Sequence, residues 1–254
     1  MIKLSVVIIT LNEEKNIARC IKSVTPIADE ILVVDSYSSD NTKTICNELG
    51  VTFMEHPFDN FVAQKNFADQ SARYNHILSI DADEELSTDL LASIKKVKEN
   101  FTADAYEFNR LNNYCGKWIK HSGWYPDRKL RLYDRTKGHW GGVKIHEKIE
   151  MQAGSAIAFL KGDLLHYTFT SVKQHMDTIN RFTTMTAEER ILKGKKTSWV
   201  RIAFKPLIKF ISLYFFKFGF LDGFYGFVVC KNSAHATFLK EVKVKELMNK
   251  KSNA

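Results

Sequence analysis

Leu4-Ser5-Val6-Val7-Ile8-Ile9 opens the chain and runs straight into Thr10-Leu11-Asn12-Glu13-Glu14. A short, almost wholly aliphatic run of this kind is what a parallel strand covered on both faces requires. It is too short for the apolar stretch of a signal peptide, and Asn12-Glu13-Glu14 stands where a cleavage site would have to follow. The body of the protein is therefore expected in the cytoplasm. Downstream, Ile17, Cys20, Ile21 and Val24 fall at helical spacing, and Glu30-Ile31-Leu32-Val33-Val34-Asp35 reads as a second strand. Asp40 is placed to cap a helix carrying Ile45 and Leu49 that stops at Gly50. Val51 to Met54 gives a third strand, 64–72 a helix, and His76-Ile77-Leu78-Ser79-Ile80-Asp81 a further strand; Ser87 then starts a helix reaching about Glu99. This alternation predicts an α/β fold with a doubly wound, mostly parallel sheet, which binds ligands at the carboxyl ends of its strands.

From about residue 103 the pattern loosens. Strand-like pieces (105–108, 129–133, 157–160) alternate with loops rich in Trp, Tyr, Gly and His. A long helix is expected from about Ser171 to Lys193, then a helical region over 198–248. The net charge of +8 is unevenly spread. Residues 1–189 balance to −3, whereas 190–254 hold 14 Lys and Arg against Asp222, Glu241 and Glu246, a balance of +11. That asymmetry calls for an anionic partner. Cys20, Cys46, Cys115 and Cys230 are scattered without C-x-x-C spacing, which argues against a zinc site or a disulfide framework.

Asp81-Ala82-Asp83 carries the sharpest chemistry. Two residues apart on extended backbone point the same way, and two carboxylates aimed at one point repel unless a cation lies between them. Mg²⁺ or Mn²⁺, held by one or two carboxylates and completed by diphosphate oxygens, fits that demand. Asp35 closes the second strand, where a carboxylate can accept hydrogen bonds from a ribose or a base; the other reading is a turn residue. No G-x-G-x-x-G or G-x-x-x-x-G-K-[ST] is present, which argues against a dinucleotide-binding oxidoreductase and a P-loop enzyme.

Thr10-Leu11-Asn12-Glu13-Glu14-Lys15-Asn16, Val33-Val34-Asp35-Ser36 and Asp81-Ala82-Asp83, each following a strand, together resemble the family 2 glycosyltransferases over roughly residues 1–170. The resemblance implies a GT-A fold, a nucleotide-sugar donor, a bound divalent metal and inversion at the transferred carbon. It implies that Glu13 and Asp35 contact the nucleoside, that Thr10 and Asn12 are among the donor-binding residues, and that Asp81 and Asp83 face the ribose-diphosphate and metal. Lys65, in Gln64-Lys65-Asn66, is a candidate to neutralise diphosphate charge, the alternative being a surface helix lysine. His166, after Leu164-Leu165, is a candidate third metal ligand or a structural histidine. The sequence lacks the mid-chain Glu-Asp pair and the Gln-x-x-Arg-Trp of many members. It carries instead Gly141-Gly142-Val143-Lys144-Ile145-His146-Glu147, similar to the His-Glu motif of the lipopolysaccharide-core β-glucosyltransferases; Arg128-Lys129-Leu130-Arg131-Leu132-Tyr133 and Leu221-Asp222-Gly223 share that likeness. An incoming hydroxyl must lose a proton as it attacks the anomeric carbon. Glu147 is the candidate base and His146 its support; otherwise Glu147 pairs with Lys148 or Lys144. The subgroup favours UDP-glucose and a lipid-linked core acceptor.

On this reading residues 1–190 form the GT-A domain, with a donor half over about 1–100 and an acceptor half over about 101–190. Residues 191–254 form a basic amphipathic helical appendage. There Arg201, Lys205 and Lys209 recur every four residues, opposite Val200, Phe204, Leu207, Ile211, Phe215 and Phe218. No uncharged run approaches the 20 or so residues a spanning helix needs. A helix lying on the inner face of the cytoplasmic membrane against anionic headgroups is expected, and no nucleic-acid motif accompanies the charge. A sugar-nucleotide nucleotidyltransferase would show a Gly-rich basic loop after the first strand. A noncatalytic membrane module would leave the strand-end acids unexplained.

Overall fold

The N-terminal aliphatic run forms β1 (Leu4–Thr10), buried but for half-buried Ile9. The computed structural model describes residues 1–143 and 146–252. After β1 come α1 (Ile17–Val24), β2 (Glu30–Asp35), α2 (Thr42–Glu48), β3 (Thr52–Glu55), α3 (Phe61–Ser71) and β4 (His76–Asp81). β1 pairs in parallel with β2 and β4, and β2 with β3. The chain therefore steps outward from β1 to β3 and returns to the other side of β1. That reversal opens a crevice beyond the carboxyl ends of β1 and β4, the usual ligand position in such sheets. Alternate residues of β1 face opposite layers. Leu4, Val6 and Ile8 pack with Ile17, Ile21, Leu90 and Ile94, while Val7 packs with Ala68, Ala72, Tyr133 and Trp140.

β5 (Glu84–Leu86) and α4 (Thr88–Glu99) follow, and Ser87 caps α4 as expected, its Oγ accepting the Leu90 N–H at 3.3 Å. Next come β6 (Ala105–Tyr114), β7 (Lys117–Ile119), β8 (Asp127–Asp134), β9 (Gly138–Val143), β10 (His146–Met151) and β11 (Ile157–Phe169). The sheet order is β3-β2-β1-β4-β8-β6-β11-β5. Beyond the parallel strands the pairings β4–β8, β6–β8 and β5–β11 are antiparallel, so the sheet is mixed. β9 and β10 form a separate antiparallel hairpin. Gly162 in β11 takes a left-handed φ of 109°, and a Cβ there would collide with the backbone of α4 at Leu90.

Two compact units are present, residues 1–110 with 127–166 and residues 111–126 with 167–254. The second contains β7, α5 (Val172–Leu192), α6 (Trp199–Ile211), a π turn (Ser212–Phe216), a 3-10 turn (Gly219–Asp222) and α7 (Gly223–Ser252). α5, capped by Ser171 and ending at Leu192, fills the span expected from about Ser171 to Lys193, and it packs with α6 on α7 in this second unit. Pro206 lies inside α6. α7 begins hard against the 3-10 turn, because Gly226 has no Cβ to strike the Gly219 carbonyl. Asp222 accepts the Lys120 and His121 backbone N–H groups, and so does structural work in this unit. Glu241 of α7 is fully buried and binds Arg190 (2.9 Å), Lys205 (2.8 Å) and Thr197 (2.6 Å). Burial alone would raise its carboxyl, but hydrogen bonds from Lys205, Thr197 and Arg190 bring it down to about 2. Lys205, expected in a basic stripe with Arg201 and Lys209, thus directs its ammonium to an internal acid.

Candidate active site

Parallel register brings three strand ends together: Thr10 lies opposite Asp35, and Ile9 opposite Asp81. The loop after β1 is tied to the loop after β2. Asn12, at a left-handed φ of 55°, receives the Ser39 N–H on Oδ1 at 2.8 Å and donates its own N–H to Ser38 Oγ at 2.7 Å. Short polar side chains tolerate that conformation. Asp35 is buried and takes both the Ser38 N–H (2.7 Å) and the Ser38 hydroxyl (2.5 Å). Its carboxylate therefore also organises the turn, as the alternative reading had it. Thr10 keeps a buried Oγ1 without a hydrogen-bond partner. Glu13 accepts from Asn16 Nδ2 at 2.7 Å. Burial lifts its carboxyl above the usual range against that hydrogen bond, and Asp83 and Asp40 lift it further.

Beyond β4 lies a network of withdrawn charges. Lys65, far from being a surface lysine, is 1% exposed. Its Nζ sits 2.9 Å from Asp81 and 3.4 Å from Glu147, and 4.4 Å from the centre of the Trp140 ring. Arg131 of β8, 4% exposed, reaches Asp81 at 3.1 Å and buried Glu84 at 3.6 Å. Arg110 adds contacts to Glu84 (3.4 Å) and Asp127 (2.9 Å). Burial by itself would raise the Asp81 carboxyl, but Lys65 and Arg131 outweigh it and hold the group well below the carboxylate range. Burial likewise opposes the Arg131 charge, and Glu84, Asp81 and Glu147 keep it firmly protonated. Asn66 fastens α3 to β9 by exchanging two hydrogen bonds with the Trp140 backbone, at 2.8 and 3.0 Å.

Asp83 and His166 meet at 3.2 Å between Oδ2 and Nε2. The pairing of β11 on β5, which sets His166 opposite Glu84, delivers the imidazole there. Of the three candidate metal ligands, the fold joins Asp83 and His166 and turns the Asp81 carboxylate toward Lys65 and Arg131. Among the described residues no group of three or more His, Cys, Asp and Glu converges on one point. One carboxylate oxygen and one imidazole nitrogen still form a donor set that suits Mn²⁺ or Mg²⁺, because such ions complete their shell with diphosphate oxygens and water. Glu147 lies on β10 opposite Gly142. The side chain of His146, like all of Lys144 and Ile145, lies outside the described residues. Glu147 lines a cavity of about 330 Å³ with Arg110, Arg128, Lys129, Arg131, Trp140 and Lys148.

Arg131 and Glu84 belong to this network, but the sequence reading assigned them no role. The fold, rather than any local spacing, brings Arg131 to the site. Lys65 and Asp69 are one helical turn apart on α3, Arg131 and Tyr133 two apart on β8, and Tyr133 donates its hydroxyl to Asp69 while Arg131 shares Asp81 with Lys65. Of the aromatic residues, Trp140 lines the site, while Trp124 packs with Tyr114, Phe169 and His175 in the core of the second unit.

Residues 5–168 match the family described as Glycosyl transferase family 2. An uncharacterized glycosyltransferase of Rickettsia typhi is 33% identical over all of this chain and 90% of its own length. The lipopolysaccharide core biosynthesis glycosyltransferase LpsC of Rhizobium meliloti is 29% identical over 95% of this chain and 91% of its own. Among solved structures, S. aureus TarS 1-349 in complex with UDP aligns over 98% of this chain and 91% of that one, at 14% identity and a TM-score of 0.48. With its mixed α/β sheet of GT-A type and its strand-end acids in register, this chain belongs to glycosyltransferase family 2 and is a glycosyltransferase enzyme.

Proposed function

We propose that the enzyme is a metal-dependent, inverting hexosyltransferase that moves glucose from UDP-glucose to a lipid-linked saccharide of the lipopolysaccharide core. The observation that carries this reading is the convergence of Asp81 and Glu147 on one buried cation, Lys65, at the reversal point of the sheet. LpsC, similar along nearly the whole chain, supports the acceptor class. Asp83 and His166 are the residues that would hold the divalent ion, which supplies Lewis-acid neutralisation of the departing diphosphate. Thr10, Asn12, Glu13 and Asp35 line the strand ends where the nucleoside would lie. Glu147 takes the proton of the acceptor hydroxyl as its oxygen bonds to the anomeric carbon; the bond to the diphosphate breaks and its electron pair leaves with the diphosphate. Lys65 fixes the position of Glu147 and Trp140 closes the site behind it. Transfer of radiolabelled hexose from a panel of nucleotide sugars to extracted lipid-linked core saccharide tests this. Mn²⁺-stimulated transfer from UDP-glucose is expected, and metal-independent release or no transfer from any donor would contradict it.

The same proposal places the enzyme at the cytoplasmic face of an anionic membrane. Trp199, Phe216 and Phe224 are 75%, 75% and 73% exposed, and Val200, Phe204, Leu207, Ile208, Phe215 and Phe218 stand in solvent with them. Apolar surface of that extent marks an interaction site, and the +11 balance of residues 190–254 suits acidic headgroups. Among the described residues no single helix is long and apolar enough to cross a membrane; α6 and α7 with their turns pass only as a pair bent by 71°. A bent pair lying in the interface satisfies both facts. Flotation with anionic and neutral vesicles measures it: binding should be stronger to the anionic ones, and absence of binding to both would overturn the assignment.

A further inference from the structure

The cavity beside Glu147 is built for an anion. Five of its lining side chains are cationic, Arg110, Arg128, Lys129, Arg131 and Lys148, and one, Glu147, is acidic. Four of these cations have counter-ions that do not line the cavity: Asp127 for Arg110 and Lys129, Glu107 for Arg128 and Glu150 for Lys148. Arg131 differs. It is almost fully buried, spends Nη2 on Asp81 and Glu84, and retains Nε and Nη1 as buried donors without hydrogen-bond partners. Orphaned donors on a buried guanidinium are costly, and an oxyanion that takes one of them in a charge-assisted bond relieves part of that cost. Arg128 and Lys148 have side chains 62% and 69% exposed, free to swing toward a bound ligand.

We infer that this cavity is a subsite for a phosphate or carboxylate carried by the acceptor sugar, so that the enzyme selects anionic acceptors. The inference rests on the assignment of Glu147 as the base, because the hydroxyl to be glycosylated must reach the same cavity. A donor diphosphate offers the same oxyanion chemistry. Yet no residue of β1, β2, β3 or β4, or of the loops that follow them, lines the cavity, and the donor, with its diphosphate at Asp81 and Asp83, is expected at those strand ends. The subsite thus lies on the acceptor side of Glu147, where Arg131 links it to Asp81 and Trp140 forms a wall. A neutral sugar can offer Arg131 only hydroxyl oxygens, whereas an oxyanion makes a stronger charge-assisted bond, and that difference is what discriminates.

The test is calorimetric titration of the full-length protein with glucose 6-phosphate and with glucose, each with and without saturating UDP and Mn²⁺. Glucose 6-phosphate should bind at least about tenfold more tightly than glucose, the scale of a hydrogen bond to a charged group, and UDP should not displace it. Arg128→Gln and Lys148→Gln should each weaken glucose 6-phosphate severalfold and leave UDP affinity unchanged; Arg131→Lys, which keeps the charge but loses the guanidinium's extra donors, should weaken it more. Equal affinity for the two sugars would overturn the inference. Displacement of glucose 6-phosphate by UDP would assign the cavity to the donor and overturn it too. Failure of UDP to bind, with glucose 6-phosphate still preferred, would count against the donor reading and leave the anion subsite standing.

Discussion

In the first unit Lys65, Glu84 and Arg131 are withdrawn from water and paired, whereas in the second Trp199, Phe216 and Phe224 stand in it. Each inverts the ordinary distribution of polar and apolar side chains. Buried ion pairs add little net stability, since desolvation offsets most of the attraction, so the network around Asp81 is better explained by what it orients than by what it stabilises. Exposed aromatic residues along α6 and the start of α7 add nothing to the stability of an isolated chain; they gain only when something covers them. The second unit does hold one buried acid, Glu241. Its Arg190, Lys205 and Thr197 partners come from α5, α6 and the segment between them, so that charge is used for assembly.

Substitutions sharpen this contrast. The largest effect is expected at Asp83→Ala, where radiolabelled transfer should fall by about a thousandfold or more, the scale of losing a charge-stabilising group, with the melting temperature kept; activity near the parent level would remove Asp83 from the metal. Glu241→Gln should instead leave UDP affinity intact and cost about 3 kcal/mol by unpairing Arg190 and Lys205. Denaturant unfolding with hydrogen exchange in α5–α7 reads it, and unchanged protection there would deny the pin. Glu147→Gln should lower turnover about a hundredfold at unaltered UDP affinity, and near-normal turnover would pass the role of base to another acid. Phe216→Ser and Phe224→Ser should each weaken vesicle binding by about 2 kcal/mol, a loss that high salt does not mask; equal partitioning of parent and variants would clear the aromatic face.

A separate effect concerns pH. Burial pushes the Asp69 carboxyl up to about 7, against the pull of the Tyr133 hydroxyl and Lys65. Its folded value lies above its unfolded one, so the stability it contributes is present in full below about pH 4 and is lost as pH rises through 7. Asp69→Asn, which imitates the protonated form, should flatten the stability slope across that window, where each pKa unit is worth about 1.4 kcal/mol. Parallel pH profiles for parent and variant would contradict this.

The parallel half of the sheet was legible because β1, β2 and β4 are aliphatic runs ending at Thr10, Asp35 and Asp81, and helical spacing or caps marked α1 and α4. β5, β7, β9 and β10 were not. They are short or rich in glycine and charge; Glu84–Leu86 becomes a strand only by pairing with distant β11, and His146–Met151 only by folding back on β9. The sequence leaves Lys65 between surface and site because α3 buries Gln64, Lys65 and Asp69 on its inner face, where periodicity leads one to expect apolar residues. The Ser38 partner of Asp35 is local and was hinted at by the serine-rich turn. The orientation of Asp81 was not, since Lys65 and Arg131 come from elements 16 and 50 positions away. Along α6, spacing separates two faces but cannot say which one the fold covers.

The most direct test of the account is calorimetric titration of UDP into the parent enzyme and Asp83→Ala, with and without Mn²⁺. The account predicts that Mn²⁺ tightens UDP binding to the parent and that the variant loses this enhancement while keeping the weaker metal-free affinity. UDP binding that is identical with and without Mn²⁺ in the parent, or an enhancement that survives in Asp83→Ala, would contradict it.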